Sequence, residues 1–140
     1  MPRFAADRLI LAPIDDVWAF LAEPYNLADW WPGVSGVEPD RRGLAPGARW
    51  KVIGPDVPGL VRRPQASGTL LVLEVAPPER IVFQLIADRI EADLRLRAVD
   101  ERSTEVSLVV DGPWLVGLRR AYPRRALERL HSLLRTGERS

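Results

Sequence analysis

A single histidine, His131, stands beside Ser132, and the chain contains no cysteine. Neighbouring residues on a helix point about 100° apart, so these two cannot pair as nucleophile and base. A Ser-His-Asp site needs Ser35, Ser67, Ser103 or Ser107 brought to His131 by the fold. With one imidazole and no thiolate, a zinc site has to be built mainly from carboxylates, and Asp15-Asp16 suits the start of a helix better. The reading therefore carries no metal and no cofactor. Phosphate cradles are missing too: no G-x-x-x-x-G-K-[ST] or G-x-G-x-x-G occurs, and Gly33-Val34-Ser35-Gly36 lacks the G-x-S-x-G spacing of a nucleophile elbow.

Two residue types are concentrated enough to act. Residues 114–140 hold seven arginines (Arg119, Arg120, Arg124, Arg125, Arg129, Arg135 and Arg139) against Glu128 and Glu138, while the first 113 residues carry −4. Such a stripe suits an anionic partner, but the offsetting charge elsewhere and the sparse aromatic residues favour a solvated face over nucleic acid. Lys51 is the only lysine among 20 basic residues, which reads as the codon bias of a GC-rich bacterial genome. Five tryptophans, Trp18, Trp30, Trp31, Trp50 and Trp114, all fall in or beside apolar-patterned segments. Trp31 and Trp50 suit either a plain core or a cavity wall in which the indole N–H is the polar handle.

These residues belong to 140 that are 46% hydrophobic and 28% charged, the range of one globular domain spanning 1–140. A chain of this size buries about 68–70% of its unfolded surface and needs no disulfide staple. Arg8 and Asp15-Asp16 interrupt any signal-peptide core, and no uncharged apolar run reaches membrane-spanning length. The expectation is a soluble protein, cytoplasmic, monomeric or homodimeric.

Residues 3–12 alternate as a strand. Pro13, Asp15 and Asp16 then open a helix over about 13–22, with Ile14, Val17, Trp18 and Leu21 at helical spacing, and Pro24 opens a second short one through Trp30. Strands are expected near 34–39, 47–54, 67–76, 80–87, 90–99 and 103–111. The connection 55–66 is long, with three prolines and Arg62-Arg63, and is either a lid or an exposed loop. In 90–98, Ile90, Ala92, Leu94, Leu96 and Ala98 oppose Glu91, Asp93, Arg95 and Arg97, so one face of the sheet is wet. Thr104, Val106, Leu108 and Val110 repeat the pattern. Residues 113–136 form an amphipathic helix, with Pro123 predicting a kink or break near 119–123.

The stretch Ala12-Pro13-Ile14-Asp15-Asp16-Val17-Trp18-Ala19-Phe20-Leu21, followed by Pro24-Tyr25-Asn26-Leu27 through Trp30-Trp31-Pro32-Gly33-Val34, carries a family likeness. So do Pro46-Gly47-Ala48-Arg49-Trp50, Glu74-Val75-Ala76-Pro77-Pro78-Glu79-Arg80-Ile81-Val82-Phe83 and Ala126-Leu127-Glu128-Arg129-Leu130. Together they resemble the START-like, or SRPBCC, superfamily in its polyketide cyclase/dehydrase branch. The resemblance implies an α+β helix-grip fold: a curved antiparallel sheet of about seven strands gripping a long C-terminal helix, with two short helices after the first strand. It further implies a hydrophobic cavity lined by Trp31, Trp50, Val52, Leu71, Leu73, Phe83, Leu85, Leu94, Leu96, Leu108 and Val110, with Leu118 and Tyr122 from the helix. His131 matches a position that is polar and exposed in the family.

Aromatase and cyclase relatives are expected to present tyrosine and arginine inside the cavity. The inward set here is almost wholly apolar, with only Thr69, Tyr122 and the indole N–H groups as polar members, and Arg95 and Arg97 on the outer face. No catalytic residue is assigned. The leading reading is a protein that binds or carries a small hydrophobic molecule, whether lipid, polyketide or aromatic, with affinity from burial. The alternative is an aromatase/cyclase or dehydratase, reached if Arg62 or Arg63 folds over the mouth or Tyr25 reaches in. A third reading makes the arginine-rich helix an interaction module, and a fourth fills the cavity with its own leucines and valines.

Overall fold

The computed structural model describes residues 3–31, 34–53, 67–86, 89–112 and 122–137. Strand β1 (Arg3–Ile10) leads into helix α1 (Ile14–Ala22), a 3-10 turn (Pro24–Asn26) and the one-turn helix α2 (Leu27–Trp30). Strands β2 (Gly36–Glu38), β3 (Arg49–Ile53), β4 (Ser67–Ala76), β5 (Arg80–Leu85), β6 (Ile90–Asp100) and β7 (Ser103–Asp111) follow, then helix α3 (Tyr122–Gly137). All seven strands form one antiparallel sheet in the order β1-β7-β6-β5-β4-β3-β2. This is the helix-grip arrangement.

Local chemistry sets the element ends. Pro13, extended, precedes α1, and Asp15 and Asp16 place negative charge on its first turn. The Glu23 carboxylate accepts from the Tyr25 N–H to start the next turn, and Asn26 Nδ2 donates to the Phe20 carbonyl at 2.9 Å, fixing the corner between α1 and α2. In α3, Pro123 sits in the first turn, where a missing N–H forfeits no helical bond. Of the kink expected near 119–123, residues 119–121 lie outside the described residues.

Helices α1 and α3 cover the apolar face, α3 resting on β1, β7 and α2 and α1 on β6 and β7. Alternation in β6 and β7 builds the centre of that face: Leu94 stands opposite Leu108, both without solvent exposure, flanked by Ala92 with Val110 and Leu96 with Val106. Ala126, Leu127 and Leu130 of α3 are buried against it. Ala98, expected inward, keeps register with the buried Thr104 but is exposed near the end of the strand; the pairing shifts only beyond it, between Ala98 and Asp100.

The outer face is held by charge. Arg80 forms a two-bond fork on Asp93 of β6 (3.0 and 3.1 Å) and reaches Glu74 of β4 at 3.0 Å. Glu74 and Asp93 are the register partners of Val82 on either side, so the guanidinium lies across Val82 and leaves it only 6% exposed although it faces outward. Arg95 adds a second fork to Asp93, and Arg97 pairs with Glu105 at 2.9 Å. Partial burial pushes the Asp93 carboxyl up, but the hydrogen bonds from Arg80 and Arg95 outweigh it and hold it below the ordinary aspartate range.

Among the described residues, Thr104 is the polar side chain with no solvent exposure; its hydroxyl donates to the Ala12 carbonyl at 2.9 Å and ties β7 to the corner between β1 and α1. Thr104→Val keeps the shape and orphans that carbonyl. It should cost about 1–3 kcal/mol, read as a lower urea midpoint with unchanged slope. Because the folded Asp93 pKa is depressed, its contribution is complete above the unfolded value of about 3.9 and is lost as pH falls through the folded value. Stability should therefore hold level near neutrality and fall below about pH 4, and Asp93→Asn should flatten part of that fall in pH-dependent thermal melts.

Candidate functional site

Between the sheet and the first two helices lies a small apolar cavity. Leu21 of α1 and Leu27 and Trp30 of α2 form its roof; Trp50 of β3, Leu70 and Val72 of β4, Ile81 and Phe83 of β5 and Leu94 of β6 form its floor. Leu44, from the loop joining β2 to β3, closes one side. Its volume is about 20 Å³, room for one water. The lining side chains are apolar but for the indole N–H groups of Trp30 and Trp50, and that of Trp50 donates to the Gly43 carbonyl at 2.8 Å.

Of the residues expected to face inward, Trp50, Phe83 and Leu94 line this cavity. Trp31, Val52, Leu85, Leu96, Leu108 and Val110 are buried in the surrounding core without lining it. Trp31 packs edge-on against Phe83, with ring centroids 5.3 Å apart, and against Trp30 at 5.6 Å. It is Trp30, not its neighbour, that reaches the cavity. Leu118 lies outside the described residues, and Tyr122 is described only as the first residue of α3.

Leu71 and Leu73 are corrections. Leu70 and Val72, each 1% exposed, hold the inward places on β4, while Leu71 and Leu73 are only half-buried. The cause is a bulge: Val72 pairs with Phe83 but Glu74 with Val82, so Leu73 is the unpaired extra residue and the inward phase changes from Leu70 and Val72 to Val75. Alternation carried back from Val75 without that insertion assigns the wrong face. Thr69 changes sides with Leu71, opposite the exposed Lys51.

The routes by which polar groups were to reach the cavity fare differently. Tyr25 is 62% exposed and does not reach in. Arg62 and Arg63 lie outside the described residues. Arg95 and Arg97 stand on the outer face. His131 is half-buried on α3 and has a partner. Among the described residues, no group of three or more Asp, Glu or His can hold a metal, and every buried side-chain nitrogen or oxygen is satisfied. Among the described residues, the carboxylates with displaced pKa values all lie outside the cavity. Asp40 is lowered chiefly by the Arg49 N–H, Asp100 by the Arg102 N–H, and Asp93 is set by burial against its two arginines. None of the described helices is long and apolar enough to cross a membrane.

Known proteins share this arrangement. The family model described as "Polyketide cyclase / dehydrase and lipid transport" matches residues 1–135. No curated protein matches the chain. Among solved structures, protein NE0264 from Nitrosomonas europaea superposes with a TM-score of 0.73 at 18% identity, over 96% of this chain and 95% of that one. The di-domain ARO/CYC BexL of the BE-7585A biosynthetic pathway gives 0.72 at 19% identity, over 94% of this chain and 46% of BexL. DynU16, from the dynemicin biosynthetic locus, gives 0.68 at 19% identity, over 96% of this chain and 48% of DynU16. The chain thus spans about half the length of these last two proteins, and at such identities the likeness is one of fold.

The bulge makes a direct contrast testable. Leu70→Ala should cost about 2–5 kcal/mol, the usual range for a leucine removed from a close-packed interior. Leu71→Ala, on the half-buried outer face, should cost less than half as much in the same urea titration. Equal losses would restore the unbulged register.

Proposed function

The chain belongs to the polyketide cyclase/dehydrase and lipid transport family, and from that premise we propose that it binds or carries a small hydrophobic molecule between the curved sheet and its covering helices. The observation that carries this reading is the apolar lining, from Leu21 and Leu27 above to Leu70, Phe83 and Leu94 below. A mostly apolar lining favours a ligand by area, about 25 cal/mol per Å² removed from water, and offers few directional contacts to orient a reacting group. We take the ligand to be a lipid, a polyketide or an aromatic molecule held by one domain over 1–140, working in the cytoplasm without metal or cofactor.

Cyclisation or dehydration requires a group that moves a proton at the substrate. No titratable side chain among the described residues lines the cavity, which supports carriage over chemistry. The name of BexL brings aromatase/cyclase activity into view as the competing reading, and an acid or base aimed into the cavity is what that reading requires.

Titration with N-phenyl-1-naphthylamine, a neutral dye that brightens in apolar surroundings, tests the proposal. The parent should bind it at micromolar concentration. Leu94→Trp, which fills the floor, should weaken binding at least tenfold while circular dichroism stays native, and Leu94→Phe should do so by a smaller factor if the tryptophan proves too large to fold. No dye bound by the parent, or equal binding by the folded variants, would overturn the reading.

A further inference from the structure

The cavity as it stands takes one water, whereas small-molecule sites commonly enclose about 300–1,000 Å³. A ligand in this cavity therefore requires its wall to move, and the residues that line it differ in how easily they can. Nine of the ten lining residues belong to helices or strands and are buried. Leu44 belongs to a loop and is only partly buried.

That loop is fixed at both ends and hinged within. At its start, Asp40 accepts from the Arg42 and Arg49 N–H groups, both at 2.9 Å. At its end, the Gly47 N–H donates to the Val72 carbonyl at 2.8 Å and the Val72 N–H to the Ala48 carbonyl at 2.9 Å. Between these anchors, Leu44-Ala45-Pro46 is bounded by Gly43 and Gly47, which have φ of 62° and 86°, a region side-chain-bearing residues rarely adopt. A Cβ at Gly47 would also lie 2.9 Å from the Arg42 guanidinium. The Trp50 indole N–H holds the Gly43 carbonyl while its ring forms part of the floor.

Resting on the ligand-binding reading above, we propose that the ligand enters past Leu44. The segment 43–47 is the door, Leu44 its plug, and the Trp50–Gly43 hydrogen bond its latch. Opening breaks that bond and the 3.0 Å bond from the Ala48 N–H to the Ala45 carbonyl and exposes one leucine, leaving the sheet and the two anchors in place. The route runs through the end of the sheet where β2 gives way to β3, beneath α1 and α2. Trp50 is thus a positioning residue, setting the open fraction through the Gly43 carbonyl as well as lining the floor.

The absence of native cysteine allows a direct test. A single thiol from Leu94→Cys lies in the cavity floor, and one from Leu108→Cys lies opposite it in equally buried core that does not line the cavity. Adding Trp50→Phe removes the latch and keeps a ring. Maleimide labelling of the Leu94→Cys thiol should then quicken about fivefold, the effect of one ordinary hydrogen bond, while the Leu108→Cys thiol stays slow. Association and dissociation of N-phenyl-1-naphthylamine should quicken by a similar factor. Leu44→Ala, which removes the plug without touching Trp50, should act in the same direction and serves if Trp50→Phe fails to fold. Labelling that rises equally at both thiols reports general loosening and overturns the door, as does labelling that changes at neither. Dye bound by the parent but exchanged at unchanged rates overturns the route alone; dye not bound by the parent overturns the ligand-binding reading and the route with it.

Discussion

A seven-stranded antiparallel sheet can tolerate water on one face only if the other is hidden, and the burial of that face under three helices is the constraint from which the remaining features follow. It forces period-2 alternation on β6 and β7, where Leu94, Leu108, Val106 and Val110 point inward and Arg95, Arg97 and Glu105 point out. The same constraint demands an apolar stripe on α3, met by Ala126, Leu127 and Leu130. The outer face then has to be stabilised by means other than a second layer. Arg80 does this locally by spanning Glu74 and Asp93 across Val82, which shields an outward valine and gives its own charge three carboxylate contacts.

The same constraint determines where the core leaves space. Helix α3 covers the sheet over β1 and β7 and α1 covers it over β6 and β7, and space remains toward β3 and β4, beneath α1 and α2. A site made of the material that folds the protein is chemically uniform, because any unpaired polar group placed there would be costly to the fold. Thr104 shows how such a group is tolerated: it spends its hydroxyl on the Ala12 carbonyl and is unavailable to anything else. The Trp50 N–H is likewise committed to Gly43.

Much of the architecture is legible in the residues. The meander, the two short helices after β1 and the closing helix follow from punctuation and periodicity, and β6 and β7 could be assigned to faces because their two sides differ sharply in polarity. Strand β4 could not. Gly68 to Val75 is apolar on both sides apart from Thr69 and Glu74, so nothing local reveals that Leu73 is an inserted residue, and the phase is decided by pairing with β5. Trp30 and Trp31 could not be ranked either, since both are buried at the end of one short helix and only the fold decides which ring meets the cavity. Leu44 escaped for a third reason. A loop has no period, and its packing follows from glycine torsions and from an indole seven residues away in sequence.

Closeness of packing and capacity for a ligand oppose each other in this core. A cavity of about 20 Å³ leaves the leucines and valines in near-full contact, which stabilises the empty protein, and every cubic ångström opened for a ligand gives up part of that contact. A dry apolar space on the order of 150 Å³ is needed even for benzene. The affinity observed for any ligand is therefore the gain from covering its surface less the free energy of opening the protein to receive it. A large, rigid apolar molecule recovers more contact per opening than a small one, because it refills the space with carbon at close to the density that was lost. On the proposed reading the core selects for ligands that complete its packing, and one that does so stabilises the folded chain by mass action in the measure that it binds. Retention and stability then rise together, and on the route proposed above the loop carrying Leu44 yields without unpairing a strand.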